Sequence, residues 1–382
     1  MHAILAMSGS HLDLMALDPK PYAALSHRQK AIEGLENALT QWPPPPTEAH
    51  VMLATSYLLA FQSSYLSDGM LDHILSLRGC AMLSQLIITH QFHGAFSAMP
   101  DLRDLYMNWK ARRFPSLDPL LAREALQSMK DFAPHLAASE EHKIERDILA
   151  QLVECIRPLL VPQPTESPVT PGLTGPMTES TTSEDETSTT ASSGSTFPPV
   201  PASTPEPWSS DLYKHPLSPA ARDVVFESII WDTITEAPPY HTPQPIRSFN
   251  GLMGSLNILA TSAREPVLNL FASTNVLGNI VMAHFCCTRF IIAPLCAPES
   301  AMKTPLKAML VWCEKVVDGV KDEDGDGVKW TRYVEWPRKI LRTMRRCLDQ
   351  KKALMFCDLY DILMNNPRAF TEGLHELPQR EK

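Results

Sequence analysis

Glycine is scarce in this sequence: 15 residues in 382, about 4% against the ~7% of an average chain. Few glycines beside many prolines suggest helices punctuated by proline. No apolar/polar alternation runs long enough to seed a strand, and no 20–50-residue repeat recurs. The eight cysteines, at 80, 155, 286, 287, 296, 313, 347 and 357, form no framework. No two of them are separated by two residues, so the C-x2-C pair of structural zinc is absent. There is no N-x-S/T glycosylation acceptor either, and a reduced, intracellular compartment is expected. G-x-S-x-G, G-x4-G-K-[ST], G-x-G-x-x-G and H-E-x-x-H are all missing, which leaves no motif from which to build an enzyme. The opening MHAILAMSGSHL has no basic stretch, and its one apolar run is too short for a secretory signal. Positive charge is in deficit, 34 Lys+Arg against 43 Asp+Glu for a net −9, which argues against non-specific coating of nucleic acid.

Leucine and proline are plentiful. Leu outnumbers Val 46 to 16, and Leu is the better helix former because Val is stiff at χ1. The 34 prolines read as helix punctuation together with one Pro-rich segment, and the fold class expected is all-α. Residues 162–210 hold 10 Pro, 10 Ser and 11 Thr with six acids and no Lys or Arg. Such a stretch buries too little apolar surface to offset its ordering entropy. It divides the chain into a front helical block (1–160), a disordered acidic linker (161–213) and a back helical block (214–382). It also supplies −6 of the net charge, so the global balance says little about the folded part.

Expected helices follow from spacing. Leu25, Ile32, Leu35 and Leu39 make one stripe, and Pro43–Pro46 stop it, with Thr47 as the next N-cap. Residues 51–66 are apolar nearly all round, as in an internal helix. Leu71–Ile87 carries two stretches around Gly79, and shorter segments follow at 101–113, 117–132 and 139–157. Ser218-Pro219 reads as an N-cap followed by Pro at the first helical position. Helices at about 247–263, 266–292, 301–319, 337–349 and 351–365 complete the back block. The tract from Val267 to Cys296 is interrupted by Asn269, Asn275, Asn279, His284 and Arg289, and reads as a buried helix rather than a membrane span.

Four constellations carry candidate chemistry. Asp322, Asp324, Asp326 and Gly327 match the start of a calcium loop, but Tyr333 stands where the bidentate Glu belongs, favouring a solvated acidic turn. His90 and His93 at i, i+3 lack a third nearby ligand. Arg338, Lys339, Arg342, Arg345 and Arg346 make a basic run opposite an Ile340/Leu341/Met344/Leu348 stripe. It is either a surface for phosphates or an acidic partner, or the solvated face of a packed helix without aromatic stacking residues. The apolar helices 51–66 and 267–292 either fill a core or line an adaptable pocket, with Phe61, Met282, Phe285 and Cys286 as effector-contact candidates. No catalytic residue, metal ligand set or cofactor is assigned.

The segments His2–Leu12 (HAILAMSGSHL), Tyr22 with His27–Ile32 (HRQKAI), Ala49–Ala54, Leu58–Ser63 (LLAFQS), Asp68-Gly69, Leu77–Cys80 (LRGC) and Trp336–Arg338 (WPR) occur in an order of their own. In that order the chain resembles fungal-specific transcription factor domains, the regulatory halves of zinc-cluster (Zn2Cys6) regulators of the sterol uptake control type. The resemblance covers about 1–95 well and the remainder thinly. It implies an all-α regulatory domain in the nucleus, or otherwise the cytoplasm, that controls sterol, lipid or secondary-metabolite genes. Its implied partners are a homo- or heterodimer with zinc-cluster regulators, the transcription machinery and a lipophilic effector. The zinc cluster itself does not occur here, so no direct DNA binding is expected from this chain alone. Two rivals are a helical metal-dependent enzyme and a scaffold dimerising with a DNA-binding homologue.

Overall fold

A computed structural model of the chain describes residues 1–16, 21–95, 117–138, 140–160, 217–231, 243–296, 304–322, 328–351 and 354–372. Among them are fourteen α-helices and no strand, only one isolated bridge between Pro305 and Met355. The helices are α1 (His2–Met15), α2 (Pro21–Leu39), α3 (Pro46–Ser63), α4 (Met70–Thr89), α5 (Pro119–Ala137), α6 (Lys143–Ile156) and α7 (Pro219–Ile230). Then come α8 (Pro245–Thr261), α9 (Arg264–Asn269), α10 (Val276–Cys296), α11 (Lys307–Gly319), α12 (Glu335–Gln350), α13 (Phe356–Asn365) and α14 (Ala369–Glu372). The 161–213 linker and the 101–113 helix fall outside the described residues.

Local chemistry sets the boundaries. Ser218 Oγ accepts from Ala221 N–H at 3.2 Å with Pro219 at the first position, as the sequence suggests. Asp118 caps α5 in the same way through Leu120 N–H, 2.9 Å, ahead of Pro119. Thr47 is not the cap of α3. Pro45 takes that position because Pro46, with its fixed φ, already sits in the first turn. The expected helix 266–292 is two helices. Asn275 Oδ1 accepts from Gly278 N–H at 2.8 Å and starts α10 afresh, which separates it from α9. The two stretches around Gly79 fuse into α4.

The core does not follow the front and back blocks. The main cluster joins α5 and α6, from the front of the sequence, to α7 through α14, with α10 at its centre. From Ile280 to Leu295, α10 is buried at every position but Arg289, the placement an all-round apolar helix requires. From residues 1–95 only Ile74 of α4, with Met70 beside it, joins that cluster; the rest make two small ones: Ala49, Met52, Leu53, Cys80, Leu83 and Ile87 between α3 and α4, and Ala3, Ala31 and Leu59 where α1, α2 and α3 meet. The packing boundary thus falls before α5 rather than at the linker, because the buried faces of α5 and α6 fit α10 and α8. At one contact the fit needs glycine: a Cβ on Gly251 of α8 would lie 3.1 Å from Cys155 Cα of α6. Two helices, Met70–Thr89 and Val276–Leu295, are long and apolar enough to cross a membrane by length and composition. In the second, 83% of that window is buried within the protein, against 28% in the first.

Candidate functional site

The four effector-contact candidates are not brought together. Met282, Phe285 and Cys286 are buried in the α10 core, whereas Phe61 is 49% exposed on α3, which packs on α1, α2 and α4. The reason is geometric. Helix α3 has an open side, with Val51 also exposed, so its apolar sequence does not make it internal all round. Met282, Phe285 and Cys286 belong to the main core cluster around α10.

A cavity of about 300 Å³ lies elsewhere, where the end of α1, the start of α2, the Ser64–Ser67 turn and the start of α11 converge. That volume is at the lower end of small-molecule sites, roughly 300–1,000 Å³. Leu14, Ala24, Leu25, Ala308 and Val311 give it an apolar body, while Asp13, Tyr65 and Lys307 supply polar groups. The Tyr65 hydroxyl hydrogen-bonds His11 Nδ1 at 3.1 Å, and burial raises its pKa. No periodicity marks this site, since its walls come from four segments that range from Ser10 to Val311.

Both sides of the cavity are tied to buried polar structure. Ser10, in its wall, accepts from Gln62 Nε2 at 3.1 Å, and Gln62 Oε1 accepts from Arg28 Nη1 at 2.9 Å. Arg28 also donates to Leu59 O (3.1 Å), Ser63 Oγ (3.1 Å) and Asp72 Oδ2 (2.9 Å). One buried guanidinium so links α2 to α3 and α4, and through Gln62 to α1. Apart from Asp72, its members come from HAILAMSGSHL, HRQKAI and LLAFQS, three of the segments that carry the resemblance. From the far side, Trp312 Nε1 of α11 donates to Leu66 O (2.7 Å), and Lys315 Nζ donates to Ser67 O (3.0 Å). The turn that walls the cavity is therefore held from α11.

The basic run is largely used inside the fold. Lys339 Nζ of α12 contacts both Glu124 oxygens of α5 at 2.6 and 2.9 Å. Arg345 Nε donates to Glu314 Oε1 of α11 at 2.9 Å, and its Nη2 pairs with the other oxygen. Arg338 donates to Thr331 O at 3.3 Å. Arg342 and Arg346 face solvent. Five cations on one helix thus divide into three that join elements and two that are exposed, and Arg345 keeps 40% of its side chain in solvent.

Asp322 accepts from Thr331 N and Oγ1, both at 2.9 Å, and so caps the 3-10 turn Trp330–Val334. Asp324, Asp326 and Gly327 lie outside the described residues. Tyr333 is buried, its hydroxyl 2.5 Å from His135 Nε2. His90 and His93 do not share a helix face, because α4 ends at Thr89 and Gln91 turns the chain at φ 51°. Among the described residues, no three His, Cys, Asp or Glu side chains gather as a metal site.

Sequence reasoning missed a Ser–His pair. His284 Nδ1 lies 2.9 Å from Ile280 O and must donate to it, so Nε2 is left to accept from Ser128 Oγ at 2.9 Å. The ring stacks on Trp336 at 5.8 Å, and burial holds the His284 pKa near 4. Ser128 sits mid-helix in α5, where backbone N–H groups are spent on the helix and offer no oxyanion donor. The pair is an interhelical bond. No family model, curated protein or solved structure matches the chain.

Proposed function

We propose that this chain is a non-enzymatic, all-α regulatory domain of a transcription regulator, working through protein contacts and a lipophilic effector held in the α1/α2/α11 cavity. The observation that carries this reading is the cavity's position. It lies at the seam between helices α1–α4 and the main core, so an occupant touches both bodies at once. An effector with higher affinity for one packing of that seam shifts the population toward it, which is all that a switch requires. The apolar body with a few polar groups suits a small amphipathic molecule. The sequence resemblance supplies the biological setting of nucleus, transcription machinery and zinc-cluster partners. The Arg28 network, which joins three of the resembling segments, supports it.

The test is to tether the chain to a heterologous DNA-binding domain upstream of a reporter. Reporter output should change with the tethered chain, and Ala308→Trp, which fills the cavity, should hold it at one level whatever the lipid supply. A reporter indifferent to the tethered chain would remove the regulatory reading. An unaltered response with Ala308→Trp would remove the cavity from it.

A further inference from the structure

Arg289 is the one position between Ile280 and Leu295 of α10 that is only partly buried. It stands where α10 meets α4 and α13. Its Nη1 lies 3.4 Å from His73 Nε2, and its guanidinium carbon lies 6.0 Å from the centre of the Phe356 ring. His73 Nδ1, 2.8 Å from Ala60 O, must donate to that carbonyl, so Nε2 is a bare acceptor on a neutral imidazole. One long hydrogen bond to a neutral ring uses a single N–H of the guanidinium, which has about five. No carboxylate pairs with Arg289 among the described residues. Its Nε and Nη2 have no partner there, and unlike Arg222 Nε they are not sealed from solvent. Burial pushes the neighbouring Cys313 thiol up, so no thiolate supplies the missing negative charge.

Arg28 shows how the fold treats a guanidinium that serves the fold alone. It donates to Leu59 O, Gln62, Ser63 and the Asp72 carboxylate, so its hydrogen bonds and its charge are both answered. Arg289 has neither, although its surroundings solvate it poorly enough to lower its pKa. A cation held in such a place without an anion is costly, and a carboxylate in two-point contact offsets that cost. We propose that Arg289 is the binding site for the carboxylate of a small organic acid with an apolar body. Arg289 is not among the residues that line the α1/α2/α11 cavity, and the proposal does not depend on the regulatory reading. Charge and surroundings choose the ligand. His73, Phe356 and Cys313 bring no second positive charge to the guanidinium. One cation therefore balances a monoanion, whereas a phosphate dianion keeps one charge uncompensated in poorly solvating surroundings. The apolar preference comes from Phe356 and from Trp312, whose ring lies 5.9 Å from that of His73. A ligand on Arg289 stands at the junction of α4, α10 and α13.

The test follows the melting temperature of the full chain in benzoate, acetate or phosphate, each balanced with chloride to constant ionic strength. Benzoate at about ten times its dissociation constant should raise the melting temperature by roughly 2 °C. Acetate should need higher concentrations for the same rise, and phosphate should do least. Arg289→Met should abolish the benzoate response. Arg289→Lys, which replaces a planar fork by a point charge, should weaken benzoate binding by about threefold or more. Arg342→Gln with Arg346→Gln, which removes two exposed cations of α12, should leave the response unchanged. Should the methionine variant not fold by circular dichroism, the lysine variant decides alone. A parent chain that benzoate does not stabilise, a response that survives intact without the guanidinium, or a stronger response to phosphate than to benzoate would overturn the proposal.

Discussion

Histidine burial gives the molecule a pH dependence at the scale of single residues. His284 and His73 both have pKa values near 4 in the folded state. Burial is the main cause in each, and for His73 the Arg289 guanidinium, 3.4 Å from its Nε2, adds to it. Unfolded, each titrates near 6.5. The unfolded chain therefore binds more protons between these values, so stability is complete above about pH 6.5 and is lost as pH falls toward 4. The full loss is about 3 kcal/mol per histidine. Denaturant titrations from pH 7 to 4.5 should show this decline, and His284→Gln should flatten part of it. Arg28 gives a second residue-level expectation. Arg28→Ala leaves Gln62 and Ser63 short of a buried donor and should cost roughly 2–4 kcal/mol in urea unfolding. Asp72→Asn should cost far less, because that carboxylate is half exposed. Neither network was legible in the sequence, where Arg28 is one cation in a polar stretch and its partners lie 31–44 residues away.

Among the elements, helix type and approximate extent were legible, and the exceptions have identifiable causes. The Ser218-Pro219 start is a local interaction and could be read from two residues. The break at Asn275 depends on which way one side chain caps, and the sequence treats that residue only as a polar interruption. Helix α4 closes with Gln91 in the left-handed region and Phe92 N–H bonded to Ile87 O at 3.0 Å, a Schellman ending without its usual glycine. Gln91→Gly should therefore stabilise the protein by about 0.5–1 kcal/mol, read as a raised melting temperature. Gly251→Ala should do the opposite, costing about 1–3 kcal/mol, because α8 and α6 would have to part. On α12 the alternation of charge with Ile340, Leu341, Met344 and Leu348 was evident, but Glu124 and Glu314, which occupy Lys339 and Arg345, stand on helices 215 and 31 residues away.

For the whole molecule, the decisive feature is the seam between helices α1–α4 and the main core. Besides Trp312 and Lys315, it is fastened by Arg78, whose Nη1 donates to Leu259 O (3.0 Å) and Ser262 O (2.6 Å) at the end of α8. Arg78→Ala should cost about 2–3 kcal/mol by leaving two carbonyls unpartnered. The thermal transition should move down as one, since the bodies share these bonds; a transition that divides in two would show them unfolding separately. Sequence by itself determined the all-α class, most helix positions and the burial of α10, because composition, 3.6-residue periodicity and local caps act within a few residues. Only the tertiary structure decided that α5 and α6 join the back half. It also decided that the cavity is built from α1, α2, the Ser64–Ser67 turn and α11, that Lys339 and Arg345 of the basic helix pair with Glu124 and Glu314, and that α1 keeps an apolar face uncovered. These depend on which surfaces meet across long separations, where complementarity of shape and charge rather than local propensity sets the outcome.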